Sequence, residues 1–458
     1  MRTGNAEADA ILGGGLPINS INIIMGAPGT GKTLLAQQLA LHNATPDRPA
    51  VYFTTLSEPL AKVITYLQGM AFYDDRKMGS AVLYEDLGPA LVSDGAAALV
   101  RCIAETIKHI SPRIIVVDSF KAVHDLSTST AEMRHVVADL AGLLSAYECT
   151  TFLVGEYEED DIVRYPEFAA ADGIIELARY KETTRDERYV RVSKLRGASY
   201  REGLHGFRIT PDGLEFFPRL VSPDHPPPYQ ASLDRVSTGI VQLDTMLGGG
   251  LPRGTSTLIA GPTGSGKTTA AVQFCLEGVQ EGEPALFLNF QENPTQLRRL
   301  VDALNVAHSG RAADWHAMYV SPVELQIDSL IGRAFKMIRD LGVRRFVVDG
   351  VGDLFFAARD PQRVHDYLYA LGQHLAVNEI TTIFTYETVL GMGHADPYGH
   401  ALQFSALMDC ILSLDIVASD RLRRTVCVRK LRNSAHDLRV RDLDITFRGL
   451  QIGGDRSP

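Results

Sequence analysis

Short apolar runs of about five to seven residues punctuate the chain, and longer stretches with helical spacing lie between them. In the first half the runs are INIIM (Ile21–Met25), AVYFTT (Ala50–Thr55), RIIVVD (Arg113–Asp118) and TTFLVGE (Thr150–Glu156). TSTLIA (Thr255–Ala260), ALFLNF (Ala285–Phe290), RRFVVD (Arg344–Asp349) and TTIFTYE (Thr381–Glu387) answer them in the second. These runs are rich in β-branched residues and lack strict polar–apolar alternation, which predicts strands buried on both faces. They are too short for buried helices. Strands apolar on both sides, alternating with helices, predict an α/β fold: a mainly parallel sheet flanked by helices, once per half.

The halves are copies. TGNAEADAILGGGLP at Thr3–Pro17 returns as TGIVQLDTMLGGGLP at Thr238–Pro252, and GAPGTGKT at Gly26–Thr33 returns as GPTGSGKT at Gly261–Thr268. Late in each half KLRG (Lys194–Gly197) is answered by KLRN (Lys430–Asn433). Landmarks in one order at nearly one spacing mark a duplicated domain. Between the copies, VSPDHPPPYQ at Val221–Gln230 carries three consecutive prolines, which favour an extended, semi-rigid linker. The expected division is 1–220 for the first domain, 221–230 for the linker and 231–458 for the second domain, with a frayed GGDRSP tail.

Composition adds exclusions. At 458 residues the chain is too long for one ordinary core, and 45% hydrophobic with 22% charged residues is globular usage. The net charge of −10 counts against a nucleic-acid binder held by bulk electrostatics. Five scattered cysteines without a CxxC pair suit a reduced compartment and argue against zinc. No apolar run approaches the roughly 20 residues of a membrane span, and the acidic N-terminus has no signal-peptide core. The expectation is a cytoplasmic protein without membrane contact.

Each GxxxxGKT follows a strand and opens a helix, the context a P-loop requires. Gly26, Gly29, Thr30 and Gly31, with Gly261, Gly264, Ser265 and Gly266, would let successive amides face phosphates at a helix N-terminus. Lys32 and Lys267 would reach the β- and γ-phosphates of ATP, and Thr33 and Thr268 would offer hydroxyls to Mg2+. Asp118 and Asp349 end apolar strands, where a carboxylate can hold the same metal. An aspartate there can also serve merely as a helix cap. Hydrolysis needs a further base or water-orienting group, and the candidates are Glu58 in TTLSEP and Glu292 in NFQENP.

Together, TGxxxxDxxLGGGLP, GxPGTGKT, a loop acid, VVDS and a late KLRG resemble the KaiC family of RecA-like ATPases, over essentially the whole chain and twice. The resemblance implies two tandem RecA-like domains assembled as a homohexamer, a double ring, with ATP between neighbouring subunits. It implies that Lys194, Leu195 and Arg196, and Lys430, Leu431 and Arg432, contact the next subunit's nucleotide, and that His436 matches a nucleotide-contacting histidine. It also implies a clock-type switch with serine autokinase chemistry and a KaiB-like or other signalling partner.

Three departures qualify it. The family carries two adjacent glutamates after the second strand, but the first position here is Ser57 in one half and Gln291 in the other. Neither can take a proton as a carboxylate does, so hydrolysis should be slow or rest on Glu58 and Glu292. The family's adjacent Ser and Thr acceptors become Ser405 and Ala406, leaving at most Ser405 as a phosphosite. The chain stops soon after its second domain, so KaiA-type regulation is not expected. The Arg-rich stretch from Arg421 to Arg432 reads either as a nucleic-acid surface, as in recombinases and helicases, or as a β-hairpin delivering phosphate-binding residues. Recurrence beside both KLR motifs, without an aromatic platform, favours the hairpin. A nucleotide-stabilised scaffold without turnover is the other rival.

Overall fold

The computed structural model describes residues 1–55, 60–127, 129–181, 186–223, 234–308, 315–357, 361–388, 406–418 and 421–453. The chain forms two compact units, Met1–Arg219 and Leu220–Pro458. In the first, strands β1 (Ile21–Met25), β2 (Ala50–Thr54), β3 (Val82–Asp86), β4 (Ile114–Asp118), β5 (Thr150–Gly155), β6 (Gly173–Lys181), β7 (Asp186–Leu195), β8 (His205–Thr210) and β9 (Gly213–Phe217) form one sheet. Its order is β3-β2-β4-β5-β1-β6-β7-β8-β9. The strands from β3 to β6 run parallel, and β7, β8 and β9 extend the sheet as antiparallel hairpins.

The second unit repeats this plan. A short ladder, β10 (Arg235–Val236) with β11 (Leu251–Pro252), precedes the sheet. The sheet itself contains β12 (Ser256–Gly261), β13 (Ala285–Asn289), β14 (Trp315–Tyr319), β15 (Arg345–Asp349), β16 (Thr381–Glu387), β17 (Cys410–Ala418), β18 (Leu422–Leu431), β19 (Arg441–Thr446) and β20 (Gly449–Ile452). Its order, β14-β13-β15-β16-β12-β17-β18-β19-β20, matches the first. Both sheets are mostly parallel and flanked by helices, as the apolar runs predict. The Arg-rich stretch forms the outer strand of the antiparallel hairpin β17–β18, matched by β6–β7 in the first unit.

Both faces of each sheet are covered, so the strand period of two assigns each side chain to one of two cores. In the first unit Ala50 and Tyr52, Ile114 and Val116, and Phe152 and Val154 face the helix Lys32–Asn43 through Leu35, Ala36 and Leu39. Val51, Phe53, Ile115, Val117 and Leu153 face the opposite helices. The second unit alternates likewise: Phe287, Val347 and Ile383 face the helix Lys267–Gln280, and Leu288, Val348 and Phe384 face away from it. This parity decides what the carboxylates at the strand ends can reach. No helix among the described residues is long and apolar enough to cross a membrane.

Candidate nucleotide site

Each P-loop joins the first strand of its sheet to the helix that covers it. Gly31 and Gly266 cap those helices in the left-handed region, at φ 104° and 105°, where a Cβ would be strained. This curl turns the loop amides towards the hollow at the helix N-terminus. Lys32 Nζ donates to the Ala27 carbonyl at 3.0 Å, and Lys267 Nζ to the Pro262 carbonyl at 2.9 Å. Both ammonium groups therefore fold back over their own loops. Burial pushes each lysine below its ordinary pKa, and Glu156 with Asp118, or Glu387 with Asp349, pulls in the opposite direction. A phosphate brought into the loop would favour the charged form of each lysine, against the effect of burial.

The strand-end aspartates lie where parity puts them. Asp118 is two residues beyond Val116 and faces the P-loop helix, so Thr33 Oγ1 donates to Asp118 Oδ2 at 2.8 Å. In the second unit Thr268 Oγ1 donates to Asp349 Oδ2 at 3.0 Å. A hydroxyl and a carboxylate held together at the end of a P-loop are hard oxygen donors of the kind that bind Mg2+, and the residues fit that ion. Burial raises the pKa of Asp349, against the hydrogen bonds from Thr385 and Thr268 and the charge of Lys267.

The second donor to each aspartate was not foreseen from the sequence. Tyr52 Oη on β2 donates to Asp118 Oδ2 at 2.6 Å, whereas Thr385 Oγ1 on β16 donates to Asp349 Oδ1 at 2.5 Å. Glu156, just beyond β5, and Glu387, which ends β16, were not foreseen either. Polar residues at these places in otherwise apolar strands were the available signal.

Of the loop acids, Ser57 and Glu58 lie outside the described residues, as does Ser405. Glu292 is tied by its backbone to Asn289, donating its N–H to Oδ1 at 2.9 Å and accepting from Nδ2 at 3.1 Å. Burial and the charge of Asp349 raise its pKa. Gln291 instead turns its amide to Asp353, with Nε2 donating to Oδ2 at 2.9 Å.

The KLR residues lie elsewhere. β6 runs parallel to β1 with Gly173 opposite Asn22, and β7 returns antiparallel with Leu195 opposite Gly173. Lys194 and Arg196 are therefore at the end of β1 away from its P-loop. The same register puts Lys430 and Arg432 at the far end of β12. Lys194 Nζ donates to the Phe168 carbonyl at 3.2 Å, and Arg196 pairs with Asp172 at 3.5 Å. Arg432 pairs with Asp409 at 3.4 Å and donates to the Ala406 carbonyl at 2.6 Å. Leu195 and Leu431 are buried, and His436 contacts the Ser434 carbonyl at 3.3 Å. At the opposite end of the hairpin Arg424 Nε donates to the Gly264 carbonyl of the adjacent P-loop at 2.8 Å.

Comparison with known proteins agrees with this arrangement. The family model described as "ATPase: KaiC" matches the chain twice, over residues 1–221 and 236–457. Circadian clock oscillator protein KaiC 1 of Synechocystis sp. is 27% identical over 468 residues, covering 97% of this chain and 87% of that protein. The KaiC of Synechococcus elongatus is 27% identical over 471 residues, covering 99% and 88%. That of Rippkaea orientalis is 27% identical over 463 residues, covering 97% and 87%. With both halves matched nearly end to end, this chain belongs to the KaiC family of ATPases.

Proposed function

We propose that the chain binds ATP at two sites and hydrolyses it slowly with Mg2+, as a cytoplasmic, nucleotide-driven signalling switch of the clock type. The two ATPase domains are 1–220 and 231–458, and 221–230 is their linker. The observation that carries the reading is the threonine–aspartate pair beside a back-folded lysine, built twice. The amides of Gly26, Gly29, Thr30 and Gly31, and of Gly261, Gly264, Ser265 and Gly266, receive phosphate oxygens. Lys32 and Lys267 swing from their loop carbonyls onto the β- and γ-phosphates, where each ammonium makes charge-assisted hydrogen bonds. Thr33 with Asp118, and Thr268 with Asp349, hold Mg2+, which neutralises developing phosphate charge when bound. Glu58 and Glu292 orient or deprotonate water.

Lys194 and Arg196, and Lys430 and Arg432, are at the wrong end of their sheets to serve their own P-loops, which supports service to a neighbouring subunit in a homohexameric double ring. His436 belongs to the same contact. Ser405 is the candidate acceptor for autophosphorylation, and a KaiB-like signalling protein is the candidate partner.

Two measurements test this. Saturating ATP with Mg2+ should drive monomers into hexamers, because ligand binding favours the state that binds it; light scattering that finds only monomer refutes the assembly. Lys32→Ala and Lys267→Ala should each halve the nucleotide bound per chain. Losing a charge-assisted contact worth about 1.5–3 kcal/mol weakens affinity roughly 10- to 150-fold. Full occupancy in either variant removes that lysine from the site.

A further inference from the structure

The second domain carries a group that the first lacks. Gln291 occupies the position of the missing first glutamate, and its side-chain amide is committed to Asp353, at 2.9 Å. Asp353 lies half-buried at the start of the short helix Gly352–Ala357, just after the strand that ends in Asp349. Its Oδ1 accepts no hydrogen bond among the described residues. The backbone makes room for this carboxylate: a Cβ on Gly350 would lie 2.8 Å from Asp353 Oδ2. The matching residues of the first domain are Ser119 for Gly350 and Ala122 for Asp353, so the glutamine, the glycine and the aspartate occur together in one copy only.

We infer that Asp353 is the general base of the second domain: the carboxylate lost from position 291 has been moved to the adjacent helix, and Gln291 holds it in place. This rests on the ATPase reading above. In the step, an O–H of the attacking water gives its proton to Asp353. The water oxygen bonds to the γ-phosphorus as the β–γ bridging P–O bond breaks, ADP departs, and the proton then passes to the released phosphate.

The surroundings suit a proton acceptor. Burial raises the pKa of Asp353, the Gln291 bond opposes that, and Glu387 and Asp349 add to the rise. Glu387 on β16 and Asp349 on β15 are the charged groups that act on it, and the same two carboxylates act on Lys267 of the P-loop. A carboxylate with a raised pKa is a stronger base and is matched to work nearer neutrality.

The full chain carrying Lys32→Ala leaves only the second site loaded. If that parent binds ATP without turning it over, the ATPase reading of this domain fails before Asp353 is tested. If it turns over, Asp353→Asn should cut the rate about 10²–10⁴-fold. Nucleotide occupancy should be unchanged, and the bound pool should shift from ADP to ATP. Turnover within twofold of the parent, with Glu292→Gln abolishing it, overturns the assignment. Gln291→Ala gives an independent decision where Asp353→Asn fails to fold or to load. Removing the amide should move the acid limb of the rate profile to higher pH, and an unmoved limb overturns the proposal.

Discussion

In the first domain the P-loop-facing aspartate and the amide after it lean on β2; in the second they lean on the opposite neighbour. Tyr52 Oη donates to Asp118, and Thr55 Oγ1, just beyond β2, accepts the Ser119 N–H at 2.9 Å. In the second domain Thr385 Oγ1 does both jobs from β16, donating to Asp349 and accepting the Gly350 N–H at 2.7 Å. The matching position for Tyr52 is Phe287, and for Thr385 it is Val154. All four side chains face the P-loop helix, so a hydroxyl on either flanking strand reaches the same carboxylate. The aromatic shelf persists: Tyr52 packs on Tyr84 with ring centroids 5.0 Å apart, and Phe287 on Trp315 at 5.4 Å. Packing and hydrogen bonding at this position therefore separate. The ring belongs to the core of both copies, whereas the hydroxyl belongs to the carboxylate and can be supplied from either side. The copies differ again at the loop after the second strand, where only the second domain pairs Gln291 with Asp353.

That difference predicts unequal responses to restoring the first glutamate. Ser57→Glu adds a carboxylate to a domain with alanine at 122, and should speed hydrolysis in a Lys267→Ala background by up to about 10²–10⁴-fold. Gln291→Glu sets a second carboxyl beside Asp353, and like charges at that distance share a proton instead of both ionising. Its gain should be much smaller at neutral pH and should grow as the pH rises. Equal acceleration of the two rings would mean that Asp353 has no part in the second site.

The unliganded second domain should be strained by its own metal-side carboxylate. Burial raises Asp349 above the 3.8 of the free side chain. Between that value and its folded pKa the native state holds more protons than the unfolded one, so stability falls as pH rises through that window. Asp349→Asn removes the slope. It should stabilise the apo domain above that window by about 1–3 kcal/mol, the scale of an incompletely compensated buried polar group. Apo melting curves of wild type and variant should converge at low pH and separate on raising it. Curves that stay parallel would show that the carboxylate is not penalised.

What could be read from the sequence was whatever local spacing determines. The P-loops, the strand runs and the terminal aspartates of β4 and β15 are contiguous words whose structure follows from period and turn chemistry. Tyr52 and Thr385 were invisible because their roles depend on which strands lie beside β4 and β15, and sheet order is not written in either run. Asp353 was invisible because its partner Gln291 is remote in sequence. Arg345 shows the same limit: it opens an apolar run, yet it is fully buried, with Nε donating to Glu283 at 2.7 Å and Nη1 to the Ser237 carbonyl at 2.7 Å. No single-strand pattern predicts a guanidinium inside the core.

The smallest effect tests whether the hydroxyls are interchangeable. Tyr52→Phe keeps the ring and deletes only the donor to Asp118, which still accepts from Thr33. It should cost about 1–2 kcal/mol, or a few degrees in the melting temperature of a domain this size. Val154→Thr supplies a hydroxyl from β5 at the place Thr385 holds in the other copy, with almost no change of volume. Alone it should destabilise, because a buried hydroxyl is added beside a carboxylate that already accepts from Thr33 and Tyr52. Combined with Tyr52→Phe it should recover most of the loss, giving a coupling energy of about 1 kcal/mol in a double-mutant cycle. The mirror pair should recover less. Thr385→Val strips Asp349 of a donor and also orphans the Gly350 N–H, and Phe287→Tyr can replace only the first. In the first domain Thr55 keeps the matching Ser119 amide satisfied throughout. Rescue should therefore be nearly complete in the first domain and partial in the second. Additive losses in the first-domain cycle would show that strand position, and not the hydroxyl, decides the bond.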